Sequence, residues 1–224
     1  MKKLLVLFAL LVVIPTAALV FAPWRAVSIE IGETLEFGGR NWIVLDLQGN
    51  HALLITENTY IIREGRYHQR AGRMTWNGSS TRHYLNDEFL QNFTPAETAR
   101  IRETYVINTD NPWFGSAGGE NTFDKIFILS IEEIVRYFGD SGQLANRPEG
   151  ARWLMDEYNS ARVAYCPEGI PRWWWTRSAG VYQHLAAGVD PTGTLSVYGT
   201  GVSNTTGEVR PVLWLNLRTS LWRR

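Results

Sequence analysis

The stretch LEFGGRNWIVLDLQGNHALLIT, residues 35–56, decides the fold class. Its apolar residues fall in three clusters, residues 35–37, 42–47 and 52–55, separated by Gly38-Gly39 and Gly49-Asn50. Short apolar runs divided by glycine-bearing turns predict hairpins. Both parities are apolar in residues 42–47, which predicts a strand covered on both faces.

Beyond this stretch the pattern changes and then returns. Residues 59–77 are polar and arginine-rich and read as a loop. Ser80 or Thr81 then opens a helix whose Leu85, Phe89 and Phe93 share one face. Thr94-Pro95-Ala96-Glu97 combines an N-cap, a proline at the first helical position and a reciprocal glutamate. Ser130-Ile131-Glu132-Glu133 repeats that capping box ahead of Ile134, Val135 and Phe138, and residues 125–129 just before it read as a buried strand. Residues 108–122 form a loop around Pro112-Trp113-Phe114, and a further helix is predicted over residues 153–163. Strands return at residues 172–176, 185–189, 195–198 and 209–217. Strands first, helices in the middle and strands last predict an α+β fold whose N- and C-terminal strands pair in one sheet.

Composition narrows the class further. Aromatics at 12% and charges at 20% suit a chain that builds a sizeable core. Lys2 and Lys3 account for two of the 22 basic residues, leaving 20 against 22 acids, so no basic face is expected for nucleic acid. After Lys3 the only lysine is Lys125 and the other basic residues are arginines, which stack on aromatic rings; ten tryptophans offer them partners. Cys166 stands alone, which excludes a disulfide-stapled scaffold and any zinc site needing two thiolates.

Met1-Lys2-Lys3 precedes an uncharged apolar run from Leu4 to Ala22. Two readings fit residues 1–27. One is a signal peptide, with Thr16-Ala17-Ala18 as its small-residue cleavage site and Pro15 breaking its helix. The other is a membrane anchor, since the run just reaches the length that crosses hydrocarbon and Trp24-Arg25 suits an interface. Either places residues 28–224, a single globular domain, outside the cytoplasm.

Candidate chemistry is sparse. Gly139-Asp140-Ser141-Gly142 looks like the segment around a trypsin-like nucleophile, but it directly follows a helix at Phe138, where Gly139 reads as the C-cap. His51, His68, His83 and His184 are scattered without metal-site spacing. The paired acids Asp87-Glu88, Glu132-Glu133 and Asp156-Glu157 fall on predicted helices, where adjacent side chains point about 100° apart and do not converge. No dense acidic loop of the calcium kind is evident. Catalytic residues, metal ligands and cofactors therefore go unnominated.

The segment that stands out is Trp173-Trp174-Trp175-Thr176-Arg177-Ser178. On a strand, Trp173 and Trp175 share one face and Trp174 takes the other. Three tryptophans could fill two cores, or a flat indole beside an arginine could meet a sugar ring or a carboxylate.

Together with Asn111-Pro112-Trp113-Phe114-Gly115 and Val209-Arg210-Pro211-Val212-Leu213-Trp214-Leu215, this segment resembles a bacterial family known only as a domain of unknown function, built around W-W-L-R-S and V-R-P-A-x-W-L. The likeness runs from about Ile31 to Leu217, with Thr176 where the family usually has leucine. It implies a fold and no activity. The same ending is similar, more remotely, to C-type-lectin-like domains of the formylglycine-generating, sulfatase-modifying type. Those depend on two active-site cysteines, so with Cys166 alone the resemblance carries over the scaffold and not the oxidase chemistry.

These observations predict an extracytoplasmic recognition domain of C-type-lectin-like α+β fold that binds carbohydrate or protein. Its expected surface combines Trp113, Trp174, Arg177, Asp190 and Arg210, although Arg177 and Arg210 could instead pair with buried carboxylates such as Asp124. Two alternatives stand beside it: a cell-envelope hydrolase with acids brought together from distant loops, and an envelope assembly partner.

Overall fold

The first hairpins form where the glycines stand. In the computed structural model, which describes residues 29–60 and 65–218, β1 (Thr34–Phe37) and β2 (Arg40–Gln48) pair antiparallel around Gly38-Gly39. Their φ values of 59° and 68° suit a two-residue turn that takes left-handed backbone at both positions. Gly38 is also fixed by packing, because a Cβ there would stand 2.3 Å from the Phe93 ring. β3 (His51–Thr56) follows through Gly49-Asn50. A bulge in β2 between Val44 and Asp46 lets Val44 and Leu45 both bury beside Trp42, which accounts for apolar residues of both parities.

The middle of the chain is helical only in short pieces. α1 (Ser80–Tyr84) is capped by Ser79, whose hydroxyl accepts from the Arg82 N–H, and it runs on into a π-turn over Leu85–Phe89 and a 3-10 turn over Leu90–Asn92. Leu85, Phe89 and Phe93 are buried, as their spacing requires. α2 (Pro95–Thr98) starts with a capping box between Thr94 and Glu97. β4 (Ile101–Arg102) follows, then β5 (Thr104–Val106) and β6 (Thr122–Asp124), a hairpin that brackets the Trp113 loop. α3 (Ile131–Phe138) has the second capping box, Ser130 with Glu133, a device worth about 1 kcal/mol. It ends at Gly139, whose N–H donates to the Val135 carbonyl, the capping role read from the sequence.

Two expected elements differ. Residues 126–129 are buried but make no strand beyond a single bridge from Phe127 to Val212. Side chains take over the ladder there: Asn86 Oδ1 accepts from the N–H of Lys125 and of Ile126, Asn86 Nδ2 donates to Ile126, and Arg177 donates to the Ile128 carbonyl. The helix expected over residues 153–163 is instead β7 (Trp153–Leu154) and one turn, α4 (Asn159–Arg162). Pairing of Leu154 with Leu195 claims the first part for a sheet, and Asp156, accepting from Tyr158 N–H and from Arg162, turns the chain between the two.

β8 (Ala164–Tyr165) and β9 (Pro171–Arg172) make a small hairpin. β10 (Trp174–Ala179), β11 (Leu185–Val189) and β12 (Leu195–Gly201) form an antiparallel sheet with β7 at its edge, in the order β10-β11-β12-β7. β13 (Val212–Asn216) returns beside β3, with Leu213 opposite Leu54, and closes the first sheet as β1-β2-β3-β13-β4. The chain is thus an α+β fold of antiparallel sheets with few helices, and its N- and C-terminal strands pair. Residues 1–27 lie outside the described residues, and among those described no helix is long and apolar enough to cross a membrane.

Candidate functional site

The register of the second sheet sorts its residues into two rows. Trp174, Val189, Leu195 and Leu154 are successive partners across β10, β11, β12 and β7, and all four are buried. The adjacent row is Trp175, Gly188, Ser196 and Trp153. Successive strand residues face opposite sides, so this row belongs to the outer face. At one end Trp153 is 54% exposed. At the other, Trp173 covers Trp175 edge to face, with 4.4 Å between ring centroids. Between the two ends the row drops to a glycine and a serine.

Trp173 extends over that floor because residue 188 has no side chain. A Cβ on Gly188 would stand 3.2 Å from Cζ3 and 3.3 Å from Cε3 of Trp173. The indole is tied at its other edge, where Nε1 donates to Thr206 Oγ1 at 3.1 Å. Thr206 in turn donates to Asn204 Oδ1 at 2.8 Å. A bulge in β12 shapes the rest of the wall. Thr200 pairs with Ala186 and Ser196 with Gly188, so Val197, Tyr198 and Gly199 stand opposite Ala187 alone. Bulges re-aim side chains: here Ser196 and Thr200 line one cleft while Tyr198 turns its ring to Phe114, 5.8 Å away.

The cleft has a volume of about 290 Å³ and is lined by Trp153, Trp173, Asp190, Thr200, Asn204 and Thr206 over the Gly188–Ser196 floor. Asp190 Oδ1 accepts from the N–H of Thr192 at 2.7 Å and of Thr194 at 3.1 Å, and from the Thr192 hydroxyl at 2.6 Å. Its Oδ2 takes no hydrogen bond from the described residues. Two flat apolar faces above a rim of hydroxyls, an amide and a carboxylate can stack on a ring while hydrogen-bonding its substituents. No group of three or more His, Cys, Asp and Glu side chains suited to a metal occurs among the described residues.

Of the residues expected to form a surface, Asp190 lies in this cleft and the others do not. Trp174 is fully buried, and Arg177 and Arg210 are 4% and 3% exposed, so a surface joining these three is corrected to interior packing. Arg177 is a strut between β10 and α3: it forks onto the Glu133 carboxylate and donates to the carbonyls of Ile128 and Ile107. Arg210 packs its guanidinium 5.3 Å from the Trp174 ring centroid and donates to the Thr56 carbonyl through Nε and Nη2. Burial lowers its pKa to about 10. Neither arginine meets Asp124, which pairs instead with Arg82 at 2.7 Å and accepts from Trp76 Nε1. Trp113 is half-buried and braces its loop, Nε1 donating to the Leu144 carbonyl at 2.8 Å. Trp153, Trp173, Thr200, Asn204 and Thr206 escaped sequence reasoning. The signal available for Trp173 was parity, since it shares a face with Trp175 and not with Trp174.

The Gly139–Gly142 segment brings no nucleophile into play. Ser141 donates to Asp156 at 2.7 Å, and Asp156 pairs with the buried Arg162 at 2.9 Å.

No curated protein and no solved structure matches the chain. A family profile does match it, over residues 49–217, a span that holds the first hairpin's last strand, the cleft and the returning strand. The chain therefore belongs to the family described as Domain of unknown function (DUF6273).

Proposed function

We propose that the protein is a saccharide-recognition module and that the Trp153–Trp173 cleft is its binding surface. One observation carries the reading: two indoles flank a floor of Gly188 and Ser196 that is rimmed by Asp190, Thr200, Asn204 and Thr206. Stacking supplies the apolar contact and the rim orients the hydroxyls. Asp190 is the one carboxylate lining the cleft, whereas glycoside hydrolysis takes a pair, which favours recognition over a hydrolase. The scaffold reads as C-type-lectin-like, supported by its paired terminal strands and a second antiparallel sheet that bears the cleft. The basic start and apolar run of residues 1–22 support a place outside the cytoplasm, either anchored or released.

A glycan and peptidoglycan-fragment array, with and without calcium, tests the proposal. Selective binding that is lost in Trp173→Ala and in Trp153→Ala, with the fold intact by circular dichroism, supports it. Binding that survives both substitutions, or none across the array, overturns it.

A second reading, an envelope assembly partner, is favoured by a different surface. The β5–β6 hairpin presents Tyr105 and Phe123 at 54% and 63% exposure, their rings 5.0 Å apart, with Ile107 beside them at 56%. Concentration-dependent sedimentation that disappears in Phe123→Ser would support that role.

A further inference from the structure

The segment leading from α3 to β7 carries two arginines laid on aromatic rings, and their donors meet different fates. Arg147 stacks over Phe114 at 4.2 Å and Trp113 at 5.4 Å. Its guanidinium is consumed by main chain, donating to the Ala151 carbonyl through Nε and Nη2 and to the Trp113 carbonyl through Nη1. It is a clasp that fixes the approach to β7. Arg152 stands five residues later, immediately before Trp153, with its guanidinium 4.6 Å from the Tyr198 ring centroid. Among the described residues no carboxylate lies within 4.0 Å of it and no acceptor takes its N–H groups. Stacking therefore sets the plane of the Arg152 fork and leaves its donors facing solvent at the edge of the cleft.

Tyr198 supports this arrangement because the β12 bulge turns its ring out of the cleft row. The Tyr198 N–H also donates to the Arg152 carbonyl at 3.0 Å, so backbone and ring hold the same residue. Asp190, the one acid in the cleft, sits at the far end, where its N–H donates to the Thr194 carbonyl. From Thr194 to Tyr198 along the strand is about 13 Å at ~3.3 Å per residue. That separation exceeds the Debye length of about 8 Å at physiological salt, so Asp190 does not cancel the field at Arg152.

We infer that the saccharide taken by this cleft is an acidic one, and that Arg152 receives its carboxylate. The inference rests on the reading of the cleft as a saccharide site. A planar guanidinium with open donors matches a carboxylate in a forked, charge-assisted pair, and its stacking means little side-chain freedom is lost on binding. The sugar ring then lies between Trp153 and Trp173, with its hydroxyls toward Asp190 and Asn204. Arg152 is the specificity-determining residue, and Arg147 and Tyr198 position it.

An array of uronate-bearing oligosaccharides printed beside their methyl esters, probed with the full chain, tests this. The ester keeps the ring and removes the charge. The acid forms are expected to bind about tenfold tighter than the esters, and Arg152→Gln to reduce that preference to about twofold or less while leaving ester binding unchanged. Raising the salt should narrow the same gap. Equal binding of acids and esters, abolished together by Trp173→Ala, would overturn the inference and leave the saccharide reading standing. Weaker binding of both forms in Arg152→Gln, in the same proportion, would make Arg152 structural and also overturn it. No binding of either form would remove both.

Discussion

The ring of Trp173 occupies the space above Gly188 that a side chain would fill, with Cζ3 3.2 Å from where a Cβ would stand. The two residues make one device, a glycine that lets an indole lie across the sheet. Gly188→Val is therefore expected to lift Trp173 from the floor. Saccharide affinity should fall by about tenfold or more, and overpacking should cost about 1–3 kcal/mol of stability. Ligand titration and thermal unfolding on the same variant check both effects, and unchanged affinity would separate the indole from the site.

Burial separates Trp174 and Arg210 from that surface. Trp174→Ala removes a fully buried side chain and is expected to cost about 3–5 kcal/mol through the cavity it leaves. Arg210→Met keeps the volume but takes away the donors to the Thr56 carbonyl. In protein that remains folded, neither change should alter saccharide affinity by more than about twofold, whereas Trp173→Ala should abolish binding. Urea unfolding beside the titration distinguishes the two kinds of loss.

Glu133 closes the α3 capping box and takes the fork of the buried Arg177. Glu133→Ala thus removes a cap and strands a buried cation, for an expected loss of about 3–5 kcal/mol. Glu132→Ala, one residue away, gives up the acceptor for Thr109 and nothing in the core, so it should cost about 1 kcal/mol or less. Similar midpoints for the two variants in chemical denaturation would contradict the strut.

Asp156 sets an acid limit. Burial acts to raise its carboxyl pKa, but the hydrogen bonds from Arg162 and Ser141, the Tyr158 N–H and the Arg162 charge outweigh it and hold the group below the ordinary aspartate value. A depressed folded pKa contributes stability above the unfolded value, about 3.9, that is lost as pH falls through the folded one. The protein is expected to lose stability below about pH 4, and Asp156→Asn to be less stable at pH 7 with a shallower acid limb. Denaturation at pH 7 and pH 3 checks the slope, and parallel loss in both proteins would contradict the assignment.

Much of this architecture was legible in residue order. The glycine-bearing turns announced the first sheet, and Thr94-Glu97 and Ser130-Glu133 marked two helix starts to the residue. Residues 126–129 misled because their apolar run matches a buried strand, while the groups replacing the ladder, Asn86 and Arg177, come from distant parts of the chain. Trp153 misled for a related reason: its membership of the second sheet depends on pairing with Ser196, which no local pattern encodes. The cleft was less legible than the fold. Parity separated Trp174 from its neighbours but could not say which side faced the core, and the row of Gly188 and Ser196 exists only once the register is set.

The most direct test of the cleft is the indole N–H spectrum of the protein titrated with an acidic oligosaccharide. Saturating shifts of the Trp153 and Trp173 signals, with those of the buried Trp42, Trp76 and Trp174 unmoved, are the predicted result. Shifts confined to Trp113, or none at any tryptophan, would contradict a saccharide site between Trp153 and Trp173.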